Sequence, residues 1–439
     1  MKHYILISTI VAAILSNTVL VCTTCVRATD ADVPIYLGTF TLGEDGAKGI
    51  YLTQLNSQDG SLTEPKLAAE VSSPIFLAKH PVLPRLYAAT FQGGLQEKSN
   101  GSSIHAFAID PATHALTKLN EQSVPMFGAC HLGVFPLPVR PPVRFGESGE
   151  PAKDEYSGKY AVIVAFYNDG AVASLPLQND GQLAPFATIH KHEGNGPHPR
   201  QTQALAHGVY PFSPGGLRVA VPDLGADKLF FYWTQPDGKL TPDSIGNGSL
   251  DLPPGSGPRH AAFATGNRET MFILNELNST VCVAVPDRSH TSNAGRCPLE
   301  IRQTISTLPE GKSAENNTAA EIFLHPNGRF LYTSNRGDDS IALFYFDGEK
   351  RERENVGSSG RYESPLHDKL LEFIETVPCG RHSYSFDISP DGKWLIVAAT
   401  NDNNVATFRI DPDSGRLTPT RHSISVQQPV CVLPMVLNP

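Results

Sequence analysis

After residue 28 the chain has no apolar run approaching the roughly 18 consecutive residues that a membrane-crossing helix needs, so no later transmembrane helix is expected. Positive charge is also scarce. There are 35 Lys and Arg against 44 Asp and Glu, a formal net charge of −9 with no basic stripe, so the footprint that phosphate backbones require is missing. Nucleic acid is not expected as a partner. Of seven cysteines, Cys22 and Cys25 lie in the leader, and Cys130, Cys282, Cys297, Cys379 and Cys431 follow it. Five is an odd number, and no Cys-x-x-Cys or Cys/His spacing occurs among them, which argues against a zinc site and a fully paired disulfide scaffold. Cys282 and Cys297 flank a hairpin loop and are the pair placed to bridge in an oxidising compartment. The other three read as small core residues. A Gly-x-Ser-x-Gly elbow is missing too, so serine-hydrolase chemistry has no support.

Glycine and proline, by contrast, are plentiful, with 37 and 36 copies, and the charged fraction is a modest 18%. Such a mix suits many short strands joined by tight turns rather than a disordered chain. The leader MKHYILISTIVAAILSNTVLVCTTCVRA places Lys2 and His3 before an apolar run from Tyr4 to about Val21, the pattern of an export signal. Cleavage is expected near Ala28, which makes residues 1–28 a signal peptide and the mature protein secreted or periplasmic. Lipid anchoring at Cys22 is the rival, against which Val21 is a poor residue to precede a lipoprotein cysteine. Asn100, Asn247, Asn278 and Asn316 begin Asn-x-Ser/Thr triplets, which matter only in a host that glycosylates.

Two turn signatures then repeat along the chain. One is a Pro-x-Gly turn entering an apolar strand, as in FSPGGLRVAVPD from Phe212, LHPNGRFLYTSN from Leu324 and ISPDGKWLIVAATN from Ile388. The other is a hairpin such as LNSQDGSLTEP from Leu55, LQNDGQLAP from Leu177, TQPDGKLTP from Thr234 and IDPDSGRLTP from Ile410. Proline presets the φ of a turn, and Gly or Asn accepts its left-handed position. The signatures alternate with a period of about 50 residues holding four strands, the signature of a propeller blade. Blades fall near 74–124, 131–190, 204–252, 258–309, 318–378 and 382–420, and residues 33–70 with QQPVCVLPMV form one more. The expectation is therefore an all-β, single-domain, seven-bladed β-propeller of four-stranded blades over 33–439, closed by pairing of N- and C-terminal strands. Loops at 139–159, 286–299 and 348–369 exceed the repeat, the last reading as a solvated excursion.

In such a blade the start of the first strand and the end of the second meet at one rim of the central channel. His131, His207, Arg259, His260 and Glu321 occupy strand starts; Asn168, Asp223, Glu276, Asn335 and Arg336 occupy strand ends. Ionisable residues gathered at one end of an antiparallel funnel are what a small-molecule site requires. Arg259 and His260 are adjacent, and neighbours on a regular strand face opposite ways, so only one of them, Arg259 by preference, is expected to point into the channel. The mixture of arginines with one acid does not form a metal cage, and no cofactor is expected.

The runs GSGPRHAAF, FILNELNSTV, AAEIFLHPNGRFLYTSNRGDDSIALF and VPDLGADKLFFY, spread over three successive blades, resemble motifs of the 6-phosphogluconolactonase-type propellers, whose relatives include carboxy-muconate cyclases. The resemblance implies a channel-mouth group of a histidine, two arginines and a glutamate, which correspond here to His207, Arg259, Arg336 and Glu276. One stretch departs from it: RQTQALAH from Arg200 has Thr202 and Leu205 where relatives carry an acid and a histidine.

Lactone hydrolysis needs a base for water, donors for the oxyanion and an anchor for the acid. Glu276 or His207 is the candidate base, Arg259 the oxyanion stabiliser and Arg336 the grip; Arg200, His260, Glu321 and His131 are candidate substrate contacts. Set against this, Glu276 between arginines could simply close an ion-pair ring, His207 could orient a strand, and His131 could be a core histidine. Asp223 and Asp227 of the DLGAD run are expected to brace the loop after the second strand. Three functions follow: an exported lactonase acting on a sugar-acid or related lactone, a muconate-lactone cyclase or isomerase, and a non-catalytic propeller binding carbohydrate or protein.

Overall fold

The computed structural model describes residues 32–43, 46–91, 101–140, 156–212, 216–264, 270–287, 298–347 and 370–436. The leader with Cys22 and Ala28, Cys297, and most of the three long loops lie outside the described residues.

Seven antiparallel sheets surround one axis. Blade 1 runs Pro74–Lys79, Arg85–Phe91, Ser102–Ile109 and Leu116–Val124 from axis to rim. Blades 2 to 6 begin at the axis with Ala129–Pro138, Tyr210–Phe212, Pro258–Phe263, Thr318–Leu324 and Ser383–Ile388. Blade 3 carries one additional strand, Ser249–Asp251, on its third strand. The closing blade takes its innermost strand, Pro429–Pro434, from the C-terminal end and its other three from Val33–Thr39, Gly49–Leu55 and Lys66–Glu70.

Burial explains the patterning. Second strands are covered on both faces by neighbouring blades, so Trp394–Ala399 reads WLIVAA and is buried throughout. Outer strands such as Leu299–Ser306 alternate between half-buried and exposed residues. Each of the seven blade-to-blade interfaces has its own apolar cluster, such as Tyr87, Ile104, Leu132 and Phe166 between blades 1 and 2. The ring is therefore held by seven small cores, in which each fully buried large aliphatic side chain contributes about 1.5–3 kcal/mol.

The Asp-Gly hairpins serve the same interfaces. Tyr36, Tyr87 and Tyr332, all on second strands, donate their hydroxyls to the carbonyls of His114, Gly181 and Gly415 at the hairpin tips of the following blade, at 2.7, 2.9 and 2.6 Å. His114 holds φ at 58°, a position where Gly181 and Gly415 stand in the other two tips.

Five of the innermost strands share one irregularity near their entry ends. Register shifts fall between Pro74 and Phe76, Ala129 and His131, Pro258 and His260, Ala319 and Ile322, and Ser383 and Ser385. A bulge of this kind breaks the two-residue alternation. It corrects the expectation that only one of Arg259 and His260 faces inward: both are buried in one cluster, with Arg259 Nη1 3.1 Å from each ring nitrogen of His260.

Candidate functional site

Glu276 follows the strand Met271–Asn275 directly, and its backbone N–H is held by the carbonyl of Gly257 at 2.8 Å. Its side chain is a hub for three guanidinium groups. Oε1 accepts from Arg200 Nη1 at 2.6 Å, while Oε2 lies 3.0 Å from both Arg259 Nε and Arg336 Nη2. His207 Nε2 is 4.0 Å from the same Oε2. Blade 5 supplies Arg336 from the end of Phe330–Arg336, blade 4 supplies Arg259, and the segment leading into blade 3 supplies Arg200 and His207.

Burial would raise the Glu276 carboxyl, but Arg336, Arg200 and Arg259 outweigh it and hold the group far below the usual carboxylate range. Burial, reinforced by Arg259, pushes His207 well below its ordinary value, so its imidazole is neutral at physiological pH. Its Nδ1 is buried without a hydrogen-bond partner. The three arginines differ in access: their side chains are 43% exposed at Arg200, 9% at Arg336 and 2% at Arg259.

A second group adjoins the first through Arg259. His260 Nδ1 and Glu321 Oε1 are 2.6 Å apart, both nearly buried. Burial, partly opposed by Arg259, raises Glu321 to about 8, whereas burial and Arg259 together depress His260. Glu321 is thus pushed towards its protonated form within hydrogen-bond distance of the His260 ring, and its Oε1 also accepts from Ile322 N–H at 3.1 Å. The His131 ring sits 3.9 Å from Phe76 and 5.1 Å from His260, packed among rings. Asp387, another buried carboxyl of the inner strands, is also raised to about 8, first by burial and then by Glu321.

All eight candidate site residues thus fall in two connected groups joined through Arg259. Among the described residues no group of three or more His, Cys, Asp or Glu has the geometry to hold a metal ion. A family model described as a lactonase seven-bladed β-propeller matches residues 34–136 and 147–434. The chain belongs to this lactonase family. The 6-phosphogluconolactonase of Bacillus subtilis is 31% identical to it over 399 residues, covering 90% of this chain and 97% of that one. A periplasmic gluconolactonase of Pseudomonas aeruginosa superposes with a TM-score of 0.73 at 26% identity, covering 93% of this chain and 100% of that one. A putative 6-phosphogluconolactonase of Bacteroides fragilis has the same TM-score and identity, over 93% and 99% of the two chains.

Two site residues of this lactonase-family propeller escape sequence reasoning. Tyr384 occupies the bulge of blade 6, its ring 5.2 Å from the Cζ of Arg259 and of Arg336. Tyr167 accepts a hydrogen bond from Arg200 Nη2 at 3.0 Å and stands edge-on to His207 at 5.3 Å. A signal existed for each, since Tyr384 precedes FDISPDG as Arg259 precedes its own turn, and Tyr167 adjoins Asn168. Other rim candidates are braces: Asn335 is tied to Thr307 and Asn317, and Asp223 to the backbone around it. Beside the charged group, Ile75 and Val430 pack with Phe40, Cys130 and Tyr384 into a small apolar cluster. The Cys282 thiol lies against Asn275 and Thr304, 3.1 and 3.4 Å away.

Proposed function

We propose that this protein hydrolyses a lactone of a sugar acid or related acid at the mouth of the central channel. The observation that carries the reading is one carboxylate, Glu276, gathering three guanidiniums beside a neutral imidazole, supported by the names of its relatives. Water adds to the lactone carbonyl as His207 takes its proton; the ring C–O bond then breaks, and the ring oxygen takes that proton back from His207 and leaves as the hydroxyl of the open acid. Glu276 is a poor base, because its charge is committed to three arginines; its task is to hold them in place. Arg336, with more solvent access than Arg259, meets the developing oxyanion. Arg200, the most exposed of the three, grips the acid end of the substrate, and Arg259 adds positive potential from beneath.

The signal-like leader and a relative named as periplasmic support export as part of this proposal. The small apolar cluster favours a second reading, a muconolactone-type substrate with one flat apolar face. The deciding experiment is a pH-indicator assay of purified protein against aldonolactones and muconolactones, with Arg336→Ala as control. Acid release from one class and its loss in the variant support the reading and name the class. No release above background from either class overturns it in favour of a binding module.

A further inference from the structure

The turn Asp223–Asp227 holds two buried aspartates whose oxygens are directed at segments that carry site residues. Asp223 Oδ1 accepts from the backbone N–H of Leu205 at 2.7 Å, Gly225 at 3.1 Å and Ala226 at 3.0 Å, and Oδ2 lies 2.7 Å from His192 Nδ1. Leu205 precedes His207 by two residues, and His207 N–H itself donates to Pro222 on the strand ending in Asp223. Asp227 Oδ1 accepts from Gln201 Nε2 and Gly257 N–H, both at 2.7 Å, and from Ser256 Oγ at 3.3 Å; Oδ2 accepts from Gly255 N–H at 2.6 Å. Gln201 adjoins Arg200, and Gly257 lies two residues before Arg259. The turn is itself constrained, since Asp227 holds φ at 52° in the left-handed region.

We propose that Asp223 and Asp227 are positioning residues that fix His207, Arg200 and Arg259 relative to one another through a single turn of blade 3. Neither aspartate has an interaction with Glu276 or its guanidiniums. Each instead ends the freedom of a loop that has little regular structure of its own: residues 192–209 hold no strand, yet they deliver Arg200 and His207. A carboxylate accepting three or four short bonds from separate segments sets their spacing more tightly than the loops' own packing does. Gln201 is the connecting piece. Its Nε2 also donates to Leu224 O at 2.7 Å, and its Oε1 accepts from His198 N–H at 3.0 Å, so one side chain joins the Arg200 loop to both ends of the turn.

This rests on the reading of Arg200 as a substrate grip, so the test has an arm independent of turnover. Gln201→Met keeps the bulk of the side chain and removes its donor. Phenylglyoxal labelling of Arg200, followed by mass spectrometry against the exposed Arg381 as internal reference, reports how firmly Arg200 is held. Labelling of Arg200 relative to Arg381 is expected to rise several-fold in Gln201→Met. In the assay that supports hydrolysis, the variant is expected to lose about tenfold or more in kcat/KM, as a misplaced substrate contact does. That loss should vanish in an Arg200→Ala background, because Gln201 acts through Arg200. An unchanged labelling ratio, or losses that multiply in the double variant, overturns the proposal. A wild-type protein without lactonase activity overturns the function and leaves the labelling arm to decide the positioning. If Gln201→Met does not fold, Asp227→Asn replaces it in the labelling arm alone, because Asp227 also holds the segment before Arg259; an Arg200 labelling ratio unchanged there overturns the proposal.

Discussion

Glu276 sets one carboxylate against three guanidiniums, with His207 neutral beside it. Glu276→Gln should therefore destabilise the fold by about 3 kcal/mol, since it leaves Arg259 and Arg336 buried without their counter-charge. Arg200→Ala should cost less than about 1 kcal/mol, because its exposed side chain is screened by water. Urea unfolding of the two variants measures the contrast; comparable losses would mean that the cluster does not depend on burial. The second group makes a pH prediction. Glu321 and Asp387 have folded values raised to about 8, so the native protein holds protons that the unfolded chain releases at lower pH. Their contribution is complete below the unfolded carboxyl range and is lost as pH rises through about 8. The depressed histidines act in the opposite direction, but only below their unfolded value near 6.5. Between pH 7 and 8 the Tm should thus fall, and Glu321→Gln, which can still bond His260, should flatten that slope in a thermal scan. At this scale the charged site residues were legible because the PRH, NEL and SNRG runs place an ionisable residue at the start of an inner strand or the end of a second strand in two neighbouring blades. Tyr167 and Tyr384 were not, because an aromatic at the edge of a strand has the same pattern whether it packs in a core or lines a mouth.

At the scale of the strand and turn, spacing carried the hairpins well and the inner strands less well. An Asp followed by Gly or by a short polar run specifies a turn by local chemistry, as when Asp110 Oδ1 accepts from Ala112 and Thr113 and Asp411 Oδ1 from Asp413 and Ser414. A bulge has no such residue signature here. It arises where the inner strands converge on the axis, a tertiary constraint, and so the strict alternation applied to Arg259 and His260 failed. The tyrosine contacts at the hairpin tips lie between these cases, since Tyr36, Tyr87 and Tyr332 recur at one place in the blade but their partners lie in the next. Tyr87→Phe and Tyr332→Phe each remove one hydroxyl donor bound across an interface and leave the ring packed. Each should lower stability by about 1 kcal/mol, the net worth of a neutral hydrogen bond. Denaturant titration of the single and double variants checks this, with the two losses adding because the sites lie in separate interfaces. A loss near zero at both would show that the apolar clusters set the blade spacing without help from the tips.

For the molecule as a ring, what matters is how the chain closes. Blade count followed from the repeat period, and the split blade followed from a remainder: residues 33–70 supply three strands and the C-terminal run supplies the missing innermost one. The pairing runs from Ile35 with Pro434 to Thr39 with Pro429. Closure does more than tidy the ends. Val430 and Cys431 pack beside Ile75 and Leu77, so the last strand also completes a small apolar cluster next to the site and part of the core between the closing blade and blade 1. A chain ending at Ser425 would retain every charged residue of the site and lose this strand. It would also uncover Ile35 and Leu37 of the closing blade, both buried in the full chain, and leave the strand Val33–Thr39 with an unpaired edge. If the ring is stabilised chiefly by its seven interfaces in series, removing the closing strand weakens the two interfaces that flank it and exposes an edge able to pair with another chain. The truncated protein is therefore expected to unfold at lower urea with a shallower transition and to associate on sedimentation, despite an intact Glu276 cluster. A monomeric truncation that unfolds at the full-length midpoint would mean that the interfaces stabilise each blade locally and that closure contributes little.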